Sequence, residues 1–160
     1  MVKQIRPMIL SLLTAGAGLA ADPAGDLLKA KPEAVEAWKD MRFGMFICWG
    51  PVSLTGKEIG WSRGNPTPVG EYDALYKKWN PGKFDAREWA KVVKGSGARY
   101  VVFLLKHHDG FCLWPSLYSA HTVRESGWKA GKGDVLRELR EACDDYDLKF
   151  GVYVSPWDRN

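Results

Sequence analysis

The sequence predicts an α/β fold built on a parallel sheet, and three observations carry that prediction. Three short, continuous apolar runs, Phe43–Trp49, Arg99–Leu105 and Lys149–Ser155, read as strands buried on both faces. Two helix patterns separate them, each opened by an aspartate, Asp85 and Asp134. Long connections follow the first two strands, rich in Gly, Pro and aromatic residues. Strand–helix alternation implies right-handed crossovers. Eight strands close a (β/α)8 barrel, normally within about 250 residues, and its chemistry sits on the loops after the strands. The long loops here favour that architecture over a small open α/β domain. The expectation is a partial (β/α)8 TIM-like barrel, its first three β-strands with two crossover helices.

Along the chain, the first twenty residues read as a signal peptide. Lys3 and Arg6 form a positive start, Met8–Leu19 a short apolar stretch, and Gly18-Leu19-Ala20 a small-residue cleavage site near Ala20. The expected location is therefore secreted or periplasmic. The apolar stretch is too short for a comfortable membrane span, and no other segment approaches ~18 consecutive apolar residues. Residues 21–34 read as a polar lead-in. Residues 35–160 read as the N-terminal part of a catalytic barrel, cut short after the third strand.

Glu33–Met41 is expected to be a short helix, followed by the strand Phe43–Trp49, which Gly50-Pro51 stops. Residues 50–84 carry little periodicity beyond a helical turn near Tyr72–Trp79. Asp85 with Glu88 three residues later has the form of a capping box. Trp89, Val92 and Val93 follow at helical spacing, and Gly95 and Gly97 end the helix. In the last helix Val135, Leu136, Leu139 and Cys143 share one face.

Composition narrows the function. The net charge of +4 is small and spread along the chain, with no basic run of the kind that binds nucleic acid or an anionic membrane. Three widely spaced cysteines do not make a disulfide framework or a zinc knuckle. Eight tryptophans are many for 160 residues, and five of them, Trp49, Trp61, Trp114, Trp128 and Trp157, fall in Gly- and Pro-rich stretches. Each either folds back on the core or offers a flat apolar face to a sugar or a base.

Chemistry concentrates in Lys106-His-His-Asp-Gly-Phe111, directly after the second strand. Three readings of the motif stand. The imidazoles of His107 and His108 can hydrogen-bond sugar hydroxyls, with Phe111 or Trp114 as a stacking face. His, His and Asp are also metal-ligand types, although direct adjacency is poor spacing for one ion and no second ligand cluster appears. The motif can equally be a structural turn. A second constellation, Lys57-Glu-Ile-Gly-Trp-Ser-Arg63, offers Glu58 for vicinal hydroxyls and Trp61 for stacking, or a plain surface salt bridge. A third, Ser155-Pro-Trp-Asp158, puts a tryptophan and a carboxylate at another strand end.

Taken together, Phe43-Gly-Met-Phe-Ile-x-Trp-Gly50, Lys106–Phe111 with Trp114-Pro-Ser116, and Gly151-Val-Tyr-Val-Ser-Pro-Trp-Asp158 resemble the α-L-fucosidases of glycoside hydrolase family 29. The resemblance implies a retaining exo-glycosidase that removes terminal α-L-fucosyl residues from a fucosylated glycan or oligosaccharide, with no cofactor and no metal. It implies substrate contacts from His107 and His108, and more approximately from Glu58 and Trp61. The family's first motif usually ends Phe-Ile-His-Trp-Gly, and that histidine contacts the sugar. Here the position is Cys48, and a thiol is a weak donor and acceptor. Retention needs a nucleophilic carboxylate and an acid/base about 5 Å apart, and the resemblance puts both after Asn160. Asp109 and Asp158 do not match the nucleophile's motif, so no catalytic residue is expected within these residues. A non-catalytic, exported carbohydrate-binding protein using the same aromatic and histidine loops is the alternative.

Overall fold

A computed structural model describes residues 29–160. The expected signal peptide and the first part of the lead-in lie outside the described residues. Helix α1 spans Pro32–Met41, with a proline in its first turn where no N–H partner is needed. It buries none of its residues. Strand β1 is Gly44–Ile47, shorter at both ends than its apolar run. A short helix, α2 (Val69–Asp73), runs into a 3-10 turn at Leu75–Lys78, where the sequence predicts a helical turn. Then come α3 (Ala86–Gly95), β2 (Tyr100–Lys106), α4 (Val135–Asp145) and β3 (Lys149–Val154).

The three strands form one parallel sheet in the order β1-β2-β3. Gly44 pairs with Tyr100, and Tyr100 with Lys149, so the strands start level and their C-terminal ends share one edge. This is the α/β arrangement the alternation implies, with α3 and α4 as the two crossover helices. Asp85 caps α3 by accepting from the N–H groups of Arg87 and Glu88, at 2.9 and 3.1 Å. The Glu88 carboxylate faces Lys91 at 3.5 Å. Asp134 caps α4 through the Arg137 N–H at 3.0 Å.

One face of the sheet packs on these helices. Val101, Phe103 and Leu105 of β2 meet Ala90 and Val93 of α3 and Leu139, Ala142 and Cys143 of α4 in a single buried core. The outer strands depart from the expectation of three fully buried strands. Phe46 on β1 and Val152, Tyr153 and Val154 on β3 are 40–57% exposed. Each outer strand has a partner on one side only, and the face opposite the helices is open around Phe46 and Tyr153, whose rings meet edge-on at 6.1 Å. Val92 also departs: it points outward at 64% exposure, while Val93 is buried.

The loop tryptophans divide into two groups. Trp49 packs on Trp79, Phe84 and Trp89 at 5.0–5.4 Å, and Trp128 is buried beneath the Lys129 ammonium. Trp114 is half-buried against the core. Only Trp61 and Trp157 of the five remain exposed, at 57% and 56%. All three cysteines are free.

Candidate functional site

Cys48 and His107-His-Asp109 follow directly on β1 and β2, and Trp157-Asp158 comes two residues further past β3, so the parallel register brings all three groups to one edge. Ligands of parallel α/β sheets bind at this C-terminal edge. The chain between β1 and α2 folds back over it. Its backbone is tied down by Ser62, whose hydroxyl donates to the Glu58 carbonyl at 2.5 Å, and by a two-pronged ion pair from Arg63 to Asp73 at 2.6 and 2.7 Å. Tyr72, Leu75 and Val52 form a small second core beneath it, with Ile59 against them.

The result is an aromatic cluster centred on His108, which is buried at 5% exposure. The His107 and His108 rings lie 3.9 Å apart. Trp61 meets His108 edge-on at 4.5 Å, and Trp157 stacks on it at 5.2 Å. The two exposed indoles approach each other at 6.2 Å. Both imidazoles keep a buried nitrogen without a hydrogen-bond partner among the described residues, Nδ1 of His107 and Nε2 of His108. Buried polar atoms left unpaired are uncommon and concentrate where function requires them.

The electrostatics favour a neutral His107. Burial, then the neighbouring His108 ring, lowers the His107 pKa below the ordinary 6.5, against the opposing pull of Asp109 and Glu58. A neutral imidazole both donates and accepts, which suits a polyhydroxyl ligand. Burial, then the Asp109 and Glu58 carboxylates, pushes up the Cys48 thiol, although its surface remains exposed. It is therefore a protonated, weakly polar group at the rim. Glu58 is exposed beside it.

Both carboxylates the sequence declines as nucleophiles are engaged. Asp109, 2% exposed, accepts from the Tyr72 hydroxyl at 2.7 Å and from the Phe111 N–H at 3.4 Å. Asp158 pairs with Lys106 at 2.9 Å and accepts from the Asn160 N–H at 3.0 Å. Burial opposes ionisation of Asp158, but these two bonds prevail and its pKa falls. Among the described residues no cluster of three or more His, Cys, Asp or Glu is placed to hold a metal.

The cluster thus unites His107, His108 and Trp61, with Cys48 and Glu58 at its margin. Phe111 is not a stacking face. It is buried against Tyr76, Trp79 and His121, because the loop after β2 folds back and its Leu113 N–H bonds the Leu105 carbonyl at 3.0 Å. The exposed ring at this edge, besides Trp61, is that of Trp157. Sequence reasoning misses Tyr72, Gly60 and Arg159, which hold the loops together; only the glycine inside the Lys57–Arg63 constellation hints at them.

Comparison with known proteins agrees with this geometry. The α-L-fucosidase family profile matches residues 23–160. α-L-Fucosidase 1 of Arabidopsis thaliana is 38% identical over 123 residues, which is 77% of this chain and 22% of that protein. A glycoside hydrolase 29 family member from an unknown rumen bacterium is 45% identical, with a TM-score of 0.68 over 78% of this chain and 21% of that structure. The Bacteroides thetaiotaomicron α-L-fucosidase, trapped as a covalent intermediate with 2-fluoro-fucosyl fluoride, is 36% identical, with a TM-score of 0.71 over 81% of this chain and 31% of that structure. The chain spans about a fifth to a third of the length of these relatives. A parallel sheet with the histidine pair at its C-terminal edge and a family match over the whole described region lead to one assignment: the chain belongs to the α-L-fucosidase family, glycoside hydrolase family 29.

Proposed function

We propose that these residues are the first three strands of the catalytic barrel of an exported, retaining α-L-fucosidase, and that they form part of its fucose pocket. The observation that carries this reading is the cluster itself. Two adjacent imidazoles with unpartnered buried nitrogens are flanked by two exposed indoles at the C-terminal edge of a parallel sheet. Imidazole nitrogens suit the hydroxyls of a pyranose, and indole faces suit its C–H surface. Family membership supplies the substrate class, and the fucosyl intermediate trapped in the Bacteroides relative supports a covalent mechanism.

In this reading His107 and His108 orient the sugar, Trp61 covers one of its faces, and Glu58 and Cys48 line the rim. Asp109 and Asp158 are held by Tyr72 and Lys106, which leaves neither free to attack. The two carboxylates of the reaction are assigned to chain beyond Asn160. One attacks the anomeric carbon while the other protonates the departing glycosidic oxygen. Water then releases fucose with retained configuration. The domain division, with residues 1–20 as export signal, belongs to the same proposal.

The test is hydrolysis of 4-nitrophenyl α-L-fucoside by the full-length protein. His107→Ala should lower turnover at least tenfold, in the range expected for lost transition-state hydrogen bonds. Unchanged turnover removes His107 from the pocket. Sugar binding without any hydrolysis would replace the enzyme reading with a carbohydrate-binding one.

A further inference from the structure

Gly60 sits at the centre of the site and is held from both sides of its backbone. Its N–H donates to the Tyr72 hydroxyl at 2.7 Å, and that hydroxyl donates in turn to Asp109 Oδ2 at 2.7 Å. Its carbonyl accepts from the Arg159 guanidinium at 3.2 Å. Arg159 also reaches the Arg63 carbonyl at 3.4 Å, and its own N–H donates to the His108 carbonyl at 2.8 Å. The loops after β1, β2 and β3 are therefore closed on one another through the two peptide units that flank Gly60 and through the bond from Arg159 to His108.

The fit is tight. Gly60 has φ +70°, and a Cβ there would overlap both His107 Nδ1 and His108 Nε2. Gly60 directly precedes Trp61, the residue that meets His108 edge-on. A shift of the Gly60 backbone therefore shifts the indole against the His108 imidazole. Tyr72 itself is buried at 4% exposure, and burial, then Asp109, holds its hydroxyl protonated, so it remains a donor. Its hydroxyl bonds Gly60 and Asp109, and both bonds run into the site.

We infer that Tyr72 is a positioning residue for the fucosidase reaction: through Gly60 it sets the spacing of Trp61 from His108, with Arg159 as a second clamp on the same residue. The inference rests on the proposed function and adds to it a residue that does not touch the sugar. Geometric errors of about 1 Å in positioning groups can cost on the order of a hundredfold in rate, which is why a remote hydrogen bond can matter.

The experiment uses the full-length protein and Tyr72→Phe, which keeps the ring in its core and deletes the hydroxyl. Two readouts are taken: kcat and KM on 4-nitrophenyl α-L-fucoside, and amide hydrogen exchange of the peptide containing Gly60. The expected result is faster exchange at Gly60 and a fall in kcat/KM of roughly tenfold. The same substitution placed on a Trp61→Ala background should add little further loss, because the two changes act through one element. Arg159→Lys, a change nearer the surface, should move both readouts in the same direction and serves if Tyr72→Phe does not fold. Unchanged exchange, unchanged kcat/KM, or a loss additive with Trp61→Ala each overturns the inference. A wild-type protein that hydrolyses no α-L-fucoside overturns the functional reading itself and is distinguishable from all of these.

Discussion

Cys48 shows how much one side chain can say at residue scale. It follows β1 on the edge that carries His107 and His108, and its thiol responds to the same carboxylates, Asp109 and Glu58, that act on His107. If position 48 reaches the sugar, the thiol forfeits most of a hydrogen bond that an imidazole would make. Restoring that bond is worth on the order of 1 kcal/mol, about fivefold in affinity. Cys48→His in the full-length protein should therefore raise kcat/KM on a simple α-L-fucoside about fivefold. No change, measured alongside a retained melting temperature, would mean that position 48 stands outside the pocket. His107, His108, Trp61 and Glu58 could be named as candidates from the sequence because they stand in the loops directly after two apolar runs. Tyr72 was not. It lies 37 residues from Asp109 in sequence, and nothing local marks a tyrosine whose partner is that distant.

At the scale of elements, helices were more legible than strands. Asp85 and Asp134 name their helices because a cap is a local hydrogen bond, made within three residues. Which apolar residues face inward is less local. Val92 and Val93 are adjacent and equally apolar, yet only Val93 meets the core. Leu139 is 1% exposed between α4 and the sheet, so Leu139→Ala should cost about 2–5 kcal/mol in unfolding free energy. Val92→Ala should fall within about 0.5 kcal/mol of wild type. Chemical denaturation of both variants checks the contrast; similar losses would place Val92 in the core. The strands misled for a different reason. An apolar run reports that a strand is suited to burial, whereas β1 and β3 are exposed on the face opposite the helices and at their outer edges.

For the whole molecule, pH couples the site to stability. Burial lowers the pKa of His107 and of His121, the latter wedged between Tyr76 and Phe111, below the ordinary 6.5. Near and below that value the unfolded chain binds more protons at these positions than the folded one. Stability contributed by the neutral rings is thus present above about pH 6.5 and lost as pH falls through it. The melting temperature should drop between about pH 7 and pH 5.5, and His121→Phe, which keeps an aromatic ring without a titrating nitrogen, should shallow the drop. An identical slope in that variant would exclude His121 as a contributor. The sequence by itself determined the alternation of strands and helices, the caps and the family, because each is encoded in residues close together along the chain. The tertiary structure alone decided which tryptophans became core and which stayed exposed, that Phe111 turned inward, and that Tyr72, Gly60 and Arg159 meet. Those outcomes depend on residues far apart in sequence that touch only when three parallel strands set their loops along one edge.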